Sequence, residues 1–73
     1  MDKDTIAGHI SDIVDRFYPG AKLTSMQTIN GFIHFYYRAS ERIDIPNESP
    51  RAAMIAADLP STVMLHIEYE DAR

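Results

Sequence analysis

Three side chains in this sequence have the types that metal binding or proton transfer uses: His34, His66 and Glu68. His66 and Glu68 stand two positions apart, which on a β-strand points them the same way. Two imidazoles and a carboxylate together can hold a zinc ion or act as an acid–base group. Nothing in the sequence sets the distance between His34 and His66, however, and open sheet faces often carry such residues. Both are therefore expected as surface groups, with no metal, no cofactor and no catalytic residue assigned. His9 lies off the apolar stripe of its own segment and reads as a solvated side chain.

Other chemistries have less support. The chain has no cysteine, so it offers neither a thiolate nucleophile nor a disulfide. Ser11, Ser25, Ser40, Ser49 and Ser61 occur in no nucleophile-elbow context, and Gly8, Gly20 and Gly31 form no phosphate-binding loop. The expectation is a non-enzyme. Charge argues against nucleic acid as well. Eleven Asp and Glu stand against seven Lys and Arg, a net of −4, and the cations are scattered along the chain. Phosphate backbones are bound by clustered cations, so direct DNA or RNA binding is disfavoured.

The elements that must position these groups begin with Thr24 to Ala39, where two β-rich runs flank Asn30-Gly31. A two-residue type I′ turn needs positive φ at both positions, which Asn tolerates and Gly adopts freely, so this pair predicts a hairpin. Counting outward from the turn puts Thr28 opposite Ile33, Met26 opposite Phe35 and Thr24 opposite Tyr37 on the expected core face. The other face carries Ile29 with Phe32, Gln27 with His34, Ser25 with Tyr36 and Leu23 with Arg38. Ahead of the hairpin, Asp2 or Asp4 can cap a helix whose apolar stripe is Ile6, Ile10, Ile13, Val14 and Phe17, stopped by Tyr18-Pro19-Gly20.

Past Ser40 the alternation continues through Ile43 and Ile45, which predicts a longer second strand or a short extra one. Pro46-Asn47-Glu48-Ser49-Pro50 then makes a turn, with Ser49 as N-cap of a second helix from Pro50 to about Leu59. That helix has almost no polar face. With Ala52, Ile55, Ala56 and Leu59 turned inward, Ala53, Met54 and Ala57 would need a second cover, and these three are the expected oligomer contact. A last strand alternates Val63, Leu65, Ile67 and Tyr69 on the core side with Met64, His66 and Glu68 on the other, and the tail from Glu70 frays.

The fold expected is a single α+β domain over 1–73, in two layers: a three-stranded, mainly antiparallel sheet made of the hairpin and the C-terminal strand, with both helices on one face. Strand order is left open, although the apolar second strand suits the centre. A chain this short hides roughly 60% of the surface its unfolded form exposes, which favours completion by self-association. No apolar run is long enough to cross a bilayer, and the N-terminus lacks the pattern of a signal peptide, so a cytoplasmic location is expected.

The surface left to act with is the helix-free sheet face, where Phe32, His34, Tyr36, Arg38 and Met64 combine the residue types that dominate interface centres. Exposed aromatic rings on a sheet can also stack on RNA bases, but the basic surround is missing here. The reading is a protein-binding module whose acidic helix residues, Asp12 and Asp15, steer the partner or meet a basic groove. Small acidic domains of this kind serve phages and mobile elements as inhibitors of host nucleic-acid-handling or defence complexes, as anti-CRISPR proteins do. A homo-oligomeric accessory protein, or a metal- or RNA-binding sheet face, are the alternatives.

Overall fold

The computed structural model describes residues 1–46 and 48–70, and its elements follow the chain as helix, strand, strand, helix, strand. Asn47, expected in a turn, and the tail residues Asp71–Arg73 lie outside the described residues. Helix α1 (Lys3–Phe17) starts where Asp2 accepts a hydrogen bond from the Thr5 backbone N–H at 2.8 Å. That bond, favouring the ionised carboxylate, holds Asp2 below the usual carboxylate range. Ile6, Ile10, Ile13 and Val14 are buried as the stripe requires. After the helix, the Ala21 N–H donates to the Tyr18 carbonyl at 3.0 Å, and Gly20 sits at φ 88. Pro19 and Gly20 thus occupy the two central positions of a type II turn.

Strands β1 (Lys22–Ile29) and β2 (Phe32–Ala39) form the hairpin, with Asn30 at φ 52 and Gly31 at φ 82 as a type I′ turn demands. The register runs as counted from Ile29–Phe32 to Ser25–Tyr36 and then slips. Leu23 pairs with Tyr37, and Lys22 with Arg38. Thr24 is the extra residue of a β-bulge, its hydroxyl donating to the Tyr36 carbonyl at 3.0 Å. The expected pairings of Thr24 with Tyr37 and of Leu23 with Arg38 are therefore corrected, and Leu23 moves to the helix side.

Strand β3 (Val63–Tyr69) completes the sheet in the order β1-β2-β3 and runs parallel to β2, so the sheet is mixed rather than mainly antiparallel. The long connection through helix α2 (Glu48–Ala56) is what a parallel pairing needs. Ile43 and Ile45 extend no strand; they pack as irregular chain against the core. The central place of β2 follows its apolar sequence, with Phe35 only 1% exposed.

Helix α2 starts at Glu48, ahead of the expected cap at Ser49, and Pro50 is buried in its first turn. It ends in a Schellman arrangement: the Asp58 N–H donates to the Ile55 carbonyl at 2.9 Å, the Leu59 N–H to the Met54 carbonyl at 3.1 Å, and Asp58 takes φ 63. Leu59 packs on the core as expected, but the facing of the helix itself is the reverse of that expected. Ala53, Met54 and Ala57 are half-buried against the domain, while Ala52, Ile55 and Ala56 are exposed. An apolar helix has no polar stripe to announce which side turns inward, and the Leu59 cap, which brings Met54 with it onto the core, decides the matter.

The core lies between α1 and strands β2 and β3, formed by Ile6, Ile10, Val14, Tyr18, Phe35, Tyr37 and Val63. The helices do not reach over β1. All eight of its residues are exposed, Met26 and Leu23 among them, although the pairing of Met26 with Phe35 is as expected.

Candidate functional site

On the helix-free side of the sheet the two ladders assemble rows of side chains. Gln27, His34 and Met64 form one row; Ser25, Tyr36 and His66 the next; Lys22, Arg38 and Glu68 the last. Ile29 pairs with Phe32 at the turn end. The face is therefore graded, apolar near the hairpin turn and ionic at the far end, with rings between.

The centre is a hydrogen-bonded pair of imidazoles. His34 Nδ1 and His66 Nε2 lie 2.9 Å apart, with ring centroids at 5.2 Å and planes 15° from parallel. The facing nitrogens account for much of the centroid separation, so the rings meet edge to edge, one donating N–H and the other offering its lone pair. Tyr36 stacks on His66 with centroids 4.6 Å apart and planes at 12°. Its centroid lies 6.2 Å from that of His34, at 18°. The three rings thus hold one common orientation. The backbone beneath Tyr36 is fixed as well, because its carbonyl receives the Thr24 hydroxyl of the bulge.

At the ionic end Arg38 Nη2 approaches Glu68 Oε2 at 3.5 Å, with both side chains about half exposed (51% and 55%). Such a pair contributes on the order of 0–1 kcal/mol to stability and leaves Arg38 free to turn to a partner. At the apolar end Phe32 is 43% exposed, Ile29 47% and Met64 37%.

The structure brings together Phe32, His34, Tyr36, Arg38 and Met64 on one face, where the sequence placed them. It also joins His34 to His66, a contact that pattern alone could not give because it depends on β3 lying beside β2. Glu68 is turned to Arg38, not to the imidazoles, and among the described residues no three His, Asp or Glu side chains gather around a point. Asp12 and Asp15 are exposed on α1, in the layer behind the sheet. Asp15 acts instead on Tyr37, whose phenol is pushed up first by burial and then by the Asp15 charge, with the Ser11 hydroxyl drawing it part of the way back. His9, expected in solvent, is half-buried.

One feature escaped sequence reasoning entirely. A groove of about 600 Å³ lies between α2 and β3, bordered by Tyr18, Met54, Ile55, Met64, Leu65 and Ile67. Its signal was the apolar character of α2, read as an outward face when it is partly a wall. No protein-family model, curated protein or solved structure matches this chain.

Proposed function

We propose that this protein is a non-enzymatic protein-binding module that engages its partner through the helix-free sheet face. The observation that carries the reading is the pre-ordered row of rings, His34, His66 and Tyr36, tied by a hydrogen bond and stacking. Side chains already held in one arrangement lose little freedom on binding, and each immobilised side chain otherwise costs about 0.5–1.5 kcal/mol. Phe32 and Met64 supply exposed apolar area beside them, and Arg38 a polar anchor. Interfaces concentrate their energy in such aromatic and arginine anchors.

The second reading rests on the exposed carboxylates of α1, Asp4, Asp12 and Asp15, which enter no ion pair among the described residues. These would meet a basic groove, and the protein would then be an inhibitor, encoded by a phage or mobile element, that blocks a host nucleic-acid-handling or defence complex.

One experiment separates the two. Partners are captured from a bacterial lysate on the immobilised protein and identified, and binding kinetics are then measured for variants at two salt concentrations. Tyr36→Ala or Arg38→Ala should weaken binding by about 2 kcal/mol, roughly thirtyfold, without unfolding the domain. Asp12→Asn with Asp15→Asn should mainly slow association and flatten its salt dependence. Wild-type affinity in the first pair, with loss in the acidic pair, would transfer the binding surface to α1.

A further inference from the structure

Among the described residues, nothing pairs with the outer edge of the β3 backbone. β3 is the last strand in the sheet, and two bonds fix which of its residues face inward: Ile33 N–H to the Thr62 carbonyl and Glu70 N–H to the Ala39 carbonyl, both 2.9 Å. In a parallel ladder alternate residues turn both their polar groups to the same neighbour. Met64, His66 and Glu68 therefore pair with β2, and Leu65, Ile67 and Tyr69 direct N–H and C=O away from the sheet. Among the described residues, the turn and loop hydrogen bonds include none to these three. Val63 is different, since its N–H is taken by the Pro60 carbonyl at 3.1 Å.

The groove runs along this same edge. Of the strand, the groove is bordered by Val63, Met64, Leu65 and Ile67, so it follows β3 along Leu65 and Ile67 and stops short of Tyr69. Its far wall is α2, with Met54 half-buried and Ile55 69% exposed at the rim. A volume of about 600 Å³ falls within the range of built ligand sites.

The two edges of the sheet are treated differently. Natural edge strands are guarded by lysine, proline or a bulge, and β1 has Lys22 and the bulge at Thr24. β3 has none of these, and its charged residue, Glu68, is engaged with Arg38 on the far face.

We infer that β3 and α2 form a receptor for an extended segment of another protein, one with aliphatic side chains at alternate positions. The segment adds to the sheet as a fourth strand, hydrogen-bonding to Leu65, Ile67 and Tyr69, and drops every second side chain into the groove. A strand is the occupant because only another strand matches the spacing of a row of free N–H and C=O groups otherwise met by water. Its side chains are aliphatic because Met, Ile, Leu and Val make up most of the groove's lining, with Glu48 and Arg51 also bordering it. With α2 walling one side of the edge, the slot suits a single strand better than the edge of a second copy, whose own α2 would meet this one.

The test uses the full chain and a short synthetic peptide alternating valine and threonine, flanked by lysines. A control peptide of identical sequence is N-methylated at alternate residues, which removes its strand hydrogen bonds and leaves its charge. Amide hydrogen exchange should slow about tenfold or more at Leu65, Ile67 and Tyr69 when the first peptide is added. Met64, His66 and Glu68, already bonded to β2, should not change. The methylated peptide should have no effect. Ile55→Glu, at an exposed rim position, should weaken binding by about tenfold with an unchanged circular dichroism spectrum.

Equal binding of both peptides, or protection appearing along β1 instead, would overturn the proposal. So would sedimentation showing a dimer in which these three amides are already protected without peptide, since a second copy would then own the edge.

Discussion

Asp58 sits at φ 63, in the left-handed region that glycine and asparagine adopt most readily. It is held there by the cap that closes α2. Asp58→Gly removes the steric cost of the β-carbon and should stabilise the fold by about 0.5–1 kcal/mol. Thermal unfolding checks this, since 1 kcal/mol raises Tm by about 4–8 °C in a domain this small. A lowered Tm would show that the carboxylate itself has a role in the cap. Two phenols make a second expectation at this scale. Burial pushes up both Tyr18 and Tyr37, with a further push from Tyr69 on the first and Asp15 on the second. In the unfolded chain each starts to lose its proton near pH 10, while the folded form keeps it to higher pH. Between those values the unfolded chain binds fewer protons. Stability is therefore full below about pH 10 and declines as pH rises through the folded values. Denaturant titrations across that range should show the decline, and Tyr37→Phe should flatten it.

Gly31, at φ 82, carries the hairpin, and an added side chain there is strained whatever space surrounds it. Gly31→Ala should cost about 1–2 kcal/mol. Denaturant unfolding would measure it, and a cost near zero would mean that the strands hold the turn rather than the reverse. This turn was legible in two adjacent residues, as were the stripe of α1 and the alternation of β3, because each has a period that local geometry imposes. What could not be read has physical reasons too. The bulge at Thr24 depends on a side-chain bond to the Tyr36 carbonyl across the hairpin, which alternation does not encode. The facing of α2 had no polar stripe to mark it. The direction of β3 hinged on a connection long enough to return on either side, and the contact of His34 with His66 waited on that direction. The residues of the candidate face were thus readable, but their mutual geometry was not.

At the scale of the whole molecule, one aromatic side chain joins the layers. Phe35 lies on the central strand and is buried within the cluster formed with α1 and Val63. Phe35→Ala should cost about 3–5 kcal/mol, a large share of the 5–15 kcal/mol that holds small domains together. Chemical denaturation would reveal the loss, and a cost below about 1 kcal/mol would show that the core closes up around the gap. The carboxylates of α1 stand in the layer behind the ring face, so their effect on a partner at the rings acts at a distance and weakens as salt is raised.

The parallel pairing of β2 with β3 also bears on how the chain comes into being. The hairpin needs only its own residues and can close within about 1–10 μs. The central strand, however, gains its second neighbour only after the whole connection and β3 have been synthesised, at about 5–20 residues per second. For that interval a nascent chain carries Phe35 and Tyr37 on a strand with one side unpaired and part of its core missing. The last strand is therefore the step that turns a ribosome-bound hairpin into a folded domain, and chains broken off before it would present their most apolar strand to the cell's chaperones and proteases.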